Sequence, residues 1–194
     1  LFRSFSDPAL GGSKETDSLT PIGEYPNAAV ARERIFEFAS RRLGTRVALL
    51  RLFYAVELRY GVVSDIARIL HRREPLPLAN GAFNCIWQRD ANEMALRSLA
   101  LTDSPPSVWN LCQPTVFSVK HVATQLSELL GVEPRFVGSE ASTALLGNAT
   151  PLYTRLGNPL VQMEPILRWT ADWVKREGLN WNRPTHFEVR DGHY

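Results

Sequence analysis

The sequence predicts an α/β protein. Two observations carry the prediction. Residues 23–60 read as a helix followed by a strand, with another helix after it, an order that argues for α/β layering. Within that stretch, Val47-Ala48-Leu49-Leu50 is apolar without alternation, the pattern of a strand buried on both faces of a parallel sheet.

The elements follow in order. Residues 1–24 are loop-like, punctuated by Asp7-Pro8, Gly11-Gly12, Thr20-Pro21 and Gly23. The first helix opens after Gly23. Pro26 suits its first turn, Gly44 suits the left-handed position beyond its end, and Ala28, Ala31, Ile35, Phe38 and Ala39 form an apolar stripe expected to face inward. A short helix over 62–73 puts Ile66, Ile69 and Leu70 on one side and is ended by Pro75 and Pro77. Leu76 to Gly81 reads as a turn or short edge strand, and Phe83 to Trp87 as a strand. Asp90 with Glu93 has the spacing of a capping box, opening a helix that carries Met94, Ala95 and Leu99. Val108 to Cys112 is a strand. Ser118 caps a helix with Val119, Val122, Ala123, Leu126, Leu129 and Leu130 inward, closed by Gly131. Arg135 to Val137 is a short strand, Ala141 to Leu146 a helical turn, and 164–177 a last helix with Trp169 and Trp173 one turn apart. The remaining residues, 179–194, form a polar tail.

Composition narrows the class. The chain has 194 residues, 44% hydrophobic and 22% charged, with net charge +2, ordinary for a globular protein. Its arginines are scattered rather than gathered into a stripe, so nucleic acid is not indicated. No apolar run approaches a membrane span. The start of the chain turns polar after five residues and shows no signal-peptide pattern. Cys85 and Cys112 form no CxxC pair. A cytoplasmic setting with reduced, packed thiols is expected. No His/Cys/Asp spacing suggests a metal site. Residue 1 is Leu, and the chain is read as a piece of a longer protein.

Several pieces, taken in order, resemble the C-terminal half of an extended short-chain dehydrogenase/reductase of the NAD-dependent epimerase/dehydratase family. They are Gly23-Glu24-Tyr25, Leu50-Arg51-Leu52-Phe53-Tyr54, Arg59-Tyr60-Gly61, Ile86-Trp87-Gln88-Arg89-Asp90, Val108 to Leu111 with Asn110, Ser118 to Gly131, and Leu156-Gly157 before Pro159. The resemblance spans about residues 15–177 and implies a partial Rossmann-type parallel sheet, its front half missing, plus a smaller α/β substrate-binding domain. Residues 1–60 would end the Rossmann-type domain, 61–178 would form mainly the substrate-binding domain, interleaved with it, and 179–194 the tail. NAD or NADP would serve the full-length protein. This chain alone would bind neither tightly, because the glycines that let backbone approach a pyrophosphate follow no strand here. The implied partner is a small-molecule substrate, a sugar or nucleotide sugar, and the assembly allowed for is a homodimer.

In the family, the Tyr of Tyr-x-x-x-Lys is the general acid/base, and Tyr25 aligns with it. A free phenol has a pKa near 10, so a cation must favour the phenolate. The family's Lys stands one helical turn on, where this chain has Ala29. Arg32 lies about two turns on, roughly 10 Å along the axis. The family's Ser or Thr would lie near the start of the chain, where Ser4 and Ser6 are weak candidates. On the substrate side the resemblance points to Arg51, Phe53, Tyr54, Arg59 and Phe83. Phe53 and Tyr54 stand where the family has an Asn, and Phe83 about where nucleotide-sugar members have the diphosphate's Arg. Arg51, Arg59 or Arg89 could substitute for it. Arg51 also interrupts an apolar strand, and a buried charge needs a partner. Plainer readings stand beside these: Tyr25 as an ordinary helix-start residue, Arg89 as solvated, Asp90 as a cap, His71 and His121 as surface residues, and His186 and His193 as parts of the tail. The tail segment Pro184-Thr185-His186-Phe187-Glu188 mixes aromatic and polar groups; it has the composition to close over a site, and the plainer expectation is that it packs on the surface. Two functions follow: an epimerase/dehydratase portion working through Tyr25, or a decayed member that binds without turnover, the latter suggested by Ala29 and Phe83.

Overall fold

The computed structural model describes residues 5–191; Ser4 and His193 lie outside the described residues. After a 3-10 turn at Pro8–Leu10 the elements run α1 (Glu24–Leu43), β1 (Ala48–Leu52), β2 (Tyr54–Val56), α2 (Val62–His71), β3 (Leu76–Pro77), β4 (Ala82–Phe83), β5 (Cys85–Trp87), α3 (Gln88–Arg97), β6 (Ser107–Leu111), β7 (Phe117–Ser118), α4 (Val119–Leu130), β8 (Phe136–Val137), α5 (Thr150–Leu156) and α6 (Met163–Lys175). The architecture is mixed α/β. β1 pairs in parallel with β6, β2 with β5 and β3 with β8, while β4 and β7 are antiparallel. The long strand expected across Leu50–Tyr54 divides at Phe53: its first half takes β6 as neighbour and its second half takes β5.

α1 forms where expected, with Gly44 left-handed at its end, but it is turned the other way. Ala28, Ala31, Ile35 and Phe38 face out, Phe38 being 70% exposed. Pro26, Ala29, Val30 and Ser40 face in. The rotation is fixed by charge. Arg51, 5% exposed in β1, bonds Glu33 of α1 with both Nε (2.9 Å) and Nη2, and donates from Nη1 to the Glu15 carbonyl at 3.0 Å. β1 is half-buried rather than buried on both faces, because it has a strand neighbour on one edge only.

Two cores lie behind the strands. The larger packs α2, α4 and α6 together through Ile66, Leu70, Val122, Leu126 and Ile166. The smaller joins Phe53, Ile86, Met94, Leu111, Leu152 and Tyr153. α4 matches its sequence signals: Ser118 accepts from the His121 N–H, and Gly131 is left-handed at the end. Its Leu129 nonetheless reaches solvent. Other expectations are corrected. Residues 141–146 form no helical turn; Ala144 instead bridges to Ser6, and the next helix is α5. Asp90 does not cap α3. It lies in the first turn, 1% exposed, and its Oδ2 accepts the Val161 N–H at 2.7 Å. Leu99 is 69% exposed. Phe187 of the tail belongs to the larger core rather than the surface.

The N-terminal segment is woven in beside residues 144–148. Ser6 pairs with Ala144 and Ser13 with Gly147. Asn84, fully buried in the break between β4 and β5, bonds the Gly147 carbonyl and N–H. A β-carbon at Gly147 would collide with the Phe53 ring, so this crossing requires glycine. No helix among the described residues is long and apolar enough to cross a membrane.

Breaking a buried ion pair from one side strands the other charge. Arg51→Met should therefore cost about 3–5 kcal/mol in urea unfolding, and adding Glu33→Leu should restore most of it. The buried thiols yield a second expectation. Burial pushes Cys85 up to about 12 and raises Cys112 further. Neither thiol should react with a disulfide reagent at mildly alkaline pH until the protein unfolds.

Candidate functional site

The turn after β2, Glu57 to Gly61, lies at the carboxyl end of a parallel strand pair. Ligands in open α/β sheets bind at that end. The turn is tight: Glu57 N–H donates to the Tyr60 carbonyl at 3.0 Å, Gly61 has φ 125°, and a β-carbon there would press on Val56. Arg59 Nε reaches both Glu57 carboxylate oxygens, at 2.9 and 3.1 Å. Its guanidinium lies 4.9 Å over the Trp181 ring. Tyr60 stacks on the same indole with centroids 5.9 Å apart. Burial raises the Tyr60 phenol above its ordinary value, negative charge on Asp65 and Tyr25 adds to the rise, and Arg183 opposes it. Tyr25, 62% exposed in the first turn of α1, is therefore an electrostatic neighbour of Tyr60.

Asp65, in the first turn of α2, fixes the C-terminal segment from below. Its Oδ2 accepts both the N–H and the hydroxyl of Thr185, each at 2.7 Å. Burial lifts its carboxyl above the usual range, and the Thr185 bonds partly offset this. Between α2 and the segment is a cleft of about 310 Å³ whose walls include Arg68, Arg72, Arg183 and Glu188. Buried Arg68 Nη2 has no hydrogen-bond partner among the described residues.

Beyond Phe187 the segment makes a second cluster. Asn80 Nδ2 donates to the Phe187 carbonyl at 2.5 Å. Arg190 Nη1 donates to Asn80 Oδ1 (2.9 Å) and to the Thr143 carbonyl (2.6 Å), and Nη2 donates to Thr143 Oγ1 (2.7 Å). The guanidinium carbon lies 3.9 Å over the Phe5 ring. Next to Phe5, the Ser6 hydroxyl is buried with no partner among the described residues.

The residues singled out in the sequence distribute unevenly. Arg59 stands next to Tyr60 at the end of β2, and Tyr25 is coupled to that turn through its electrostatic effect on Tyr60. Arg51 is held by Glu33. Phe53 is 7% exposed against Gly147. Tyr54 is half-buried on the larger core. Phe83 is 2% exposed, its ring 5.9 Å from Phe117. Ala29 and Arg32 share a cleft of about 200 Å³ with Val47 to Leu50. Sequence reasoning missed Asp65, Trp181 and Arg190, and named Thr185 only as part of the tail segment. The one available signal was the tail's mixture of Trp, Arg and His within ten residues.

Asp65 yields a signed pH expectation. Its folded pKa lies above the unfolded value, so its contribution to stability is full below the unfolded pKa and lost as pH rises through the folded one. Relative to Asp65→Asn, the parent protein should gain unfolding free energy as pH falls from about 7 towards about 4. Paired denaturation curves across that range check it.

No family model matches the chain, and no curated protein matches it. Solved structures do. One is UDP-glucose 4-epimerase with UDP-glucose from Thermotoga maritima, with 21% identity and a TM-score of 0.70 over 85% of this chain and 57% of that one. Another is UDP-glucuronic acid 4-epimerase from Bacillus cereus in complex with NAD, at 14% and 0.73 over 85% and 55%. A third is RMD from Pseudomonas aeruginosa complexed with NADPH, at 19% and 0.74 over 90% and 63%. The chain thus spans somewhat more than half the length of each of these proteins. At such identities the likeness establishes the fold alone: a Rossmann-type α/β architecture, represented over part of its length.

Proposed function

We propose that the chain is the substrate-side portion of an NAD(P)-dependent epimerase or dehydratase acting on a sugar or nucleotide sugar. The observation that carries this reading is the fold match over most of this chain, with Tyr25 at the start of α1 and beside the carboxyl end of β2. The division into residues 1–60, 61–178 and 179–194 belongs to the same proposal.

Among the described residues the paired glycines do not form a dinucleotide cradle. Gly11 closes a 3-10 turn and Gly12 abuts the Gly147 backbone, so the pair does not sit in the strand-to-helix turn that receives a pyrophosphate. No step is assigned here through NAD or NADP. This chain's own contribution is holding substrate and moving a proton. Tyr25 exchanges a proton with a substrate hydroxyl, Arg59 and Tyr60 line the approach, and Arg51, Phe53, Tyr54 and Phe83 set the shape behind them. A general acid/base in position contributes about 10²–10⁴ in rate.

The experiment is turnover of UDP-glucose with NAD by the full-length protein, after intact-mass measurement of the native protein against the mass of these 194 residues. Tyr25→Phe should lower kcat by about 10²–10⁴ with little change in KM. Ala29 is 8% exposed where the family carries its Lys, the observation that favours a binding protein without turnover. On that second reading the parent is inactive and Ala29→Lys gains turnover.

A further inference from the structure

Arg190 is held in place from several sides, yet no described residue neutralises it. Its hydrogen-bond acceptors are all neutral: the Asn80 amide oxygen, the Thr143 carbonyl and the Thr143 hydroxyl. Phe5 covers one face of the guanidinium. Among the described residues it forms no ion pair, whereas Arg51 and Arg59 are each matched by a glutamate. Burial works against its charge. A guanidinium has five N–H donors. Both on Nη1 are used and one on Nη2, on the side shared with Nη1, because both nitrogens bond Thr143. The Nε–Nη2 edge remains, and that is a two-pronged fork that fits the oxygens of a carboxylate or phosphate. Its position is specific too. Phe5 and Thr143 immediately precede Ser6 and Ala144, whose backbones pair at 2.8 and 2.9 Å, so the groups that hold the guanidinium come from two segments that are themselves tied together.

We propose that Arg190 anchors an oxyanion site, binding a phosphate or carboxylate group of the substrate through its free Nε–Nη2 edge. Asn80 and Thr143 aim the guanidinium and Phe5 limits its swing. The proposal rests on the functional reading above only in ascribing the anion to the substrate.

The test needs neither cofactor nor turnover, so it succeeds or fails separately from the catalytic reading. The 194-residue chain is titrated calorimetrically with inorganic phosphate, glucose 1-phosphate, glucuronate and, as the neutral control, glucose. Binding of the phosphates alone assigns the site to phosphate and binding of glucuronate alone to a carboxylate; either result supports the site, provided glucose does not bind. Arg190→Gln should weaken the binding about ten- to hundredfold, the worth of a charged pair of hydrogen bonds, and Arg190→Lys should recover part of it. The Arg190 Nε–H resonance of the unsubstituted chain, followed by ¹⁵N NMR during the phosphate and glucuronate titrations, reads the same contact should Arg190→Gln not fold. Failure of every anion to bind, affinity unchanged in Arg190→Gln, or an Nε–H resonance that does not move would overturn the proposal.

Discussion

The Arg51 guanidinium organises the N-terminal third of the structure. A charge in the middle of a half-buried strand must be met, because an unpaired ion away from water is far costlier than the pairing. Glu33 meets it from α1, and the Glu15 carbonyl takes a third bond. That choice sets the rotation of the helix. With Glu33 inward, Pro26, Ala29 and Val30 must also turn inward, and Ile35 and Phe38 outward. Glu15 in turn spends its carboxylate on the Asn110 N–H at 2.8 Å, and Asn110 is the register partner of Arg51 across β1 and β6. One charge thus orders a helix, a strand pair and the segment that crosses their ends. It also places Tyr25, two helical turns before Glu33.

A second constraint is steric. Phe53, Gly12 and Gly147 meet where there is no room for another β-carbon. Around them Asn84, Asn110 and Cys112 bond the backbone of residues 13 and 147–148. The amide nitrogens of Asn84 and Asn110 are satisfied in this way, whereas Asn110 Oδ1 has no partner among the described residues. The result is a rigid floor made from chain segments more than 130 residues apart. The two clusters at the candidate site rest on segments leaving this floor: residues 57–61 follow β2, and Thr143 precedes the bridge at Ala144.

Local signals were legible in the sequence and longer-range ones were not. α4 announced itself through Ser118, Gly131 and its apolar spacing. The ends of α1 were equally plain, but its buried face was not. Apolar residues line two sides of that helix, and periodicity alone ranks the longer stripe inward. What reversed it was the pairing of Glu33 with a residue 18 positions away. Asp90 with Glu93 has the spacing of a capping box, but Asp90 turns to the Val161 amide, a partner 71 positions on. α5 is too short, with Pro151 in its first turn, to show a period. The candidate site depended most on distant contacts. Thr185 with Asp65 and Arg190 with Asn80 are separated by 120 and 110 residues. A tail without periodicity carries no sign of such partners.

The electrostatics of the two clusters bear on what the site can do. A phenol that takes up a proton from substrate near neutral pH needs a positive charge close by. α1 supplies none one turn after Tyr25, where Ala29 is packed inward. Arg59 is spent on Glu57 and on the Trp181 ring. Arg183 acts on Tyr60 but is outweighed by burial and by Asp65. The end of β2 therefore favours the neutral form of the Tyr60 phenol, which donates a proton rather than accepts one. Anion binding follows the same displacement. Phe83 makes β4 apolar where the resemblance led one to look for an arginine, and the unneutralised cation stands on the C-terminal segment at Arg190. In both cases the charge the chemistry needs has left the regular elements. A strand or helix position is fixed by its backbone neighbours, whereas Arg190 is fixed by side-chain bonds to Asn80 and Thr143.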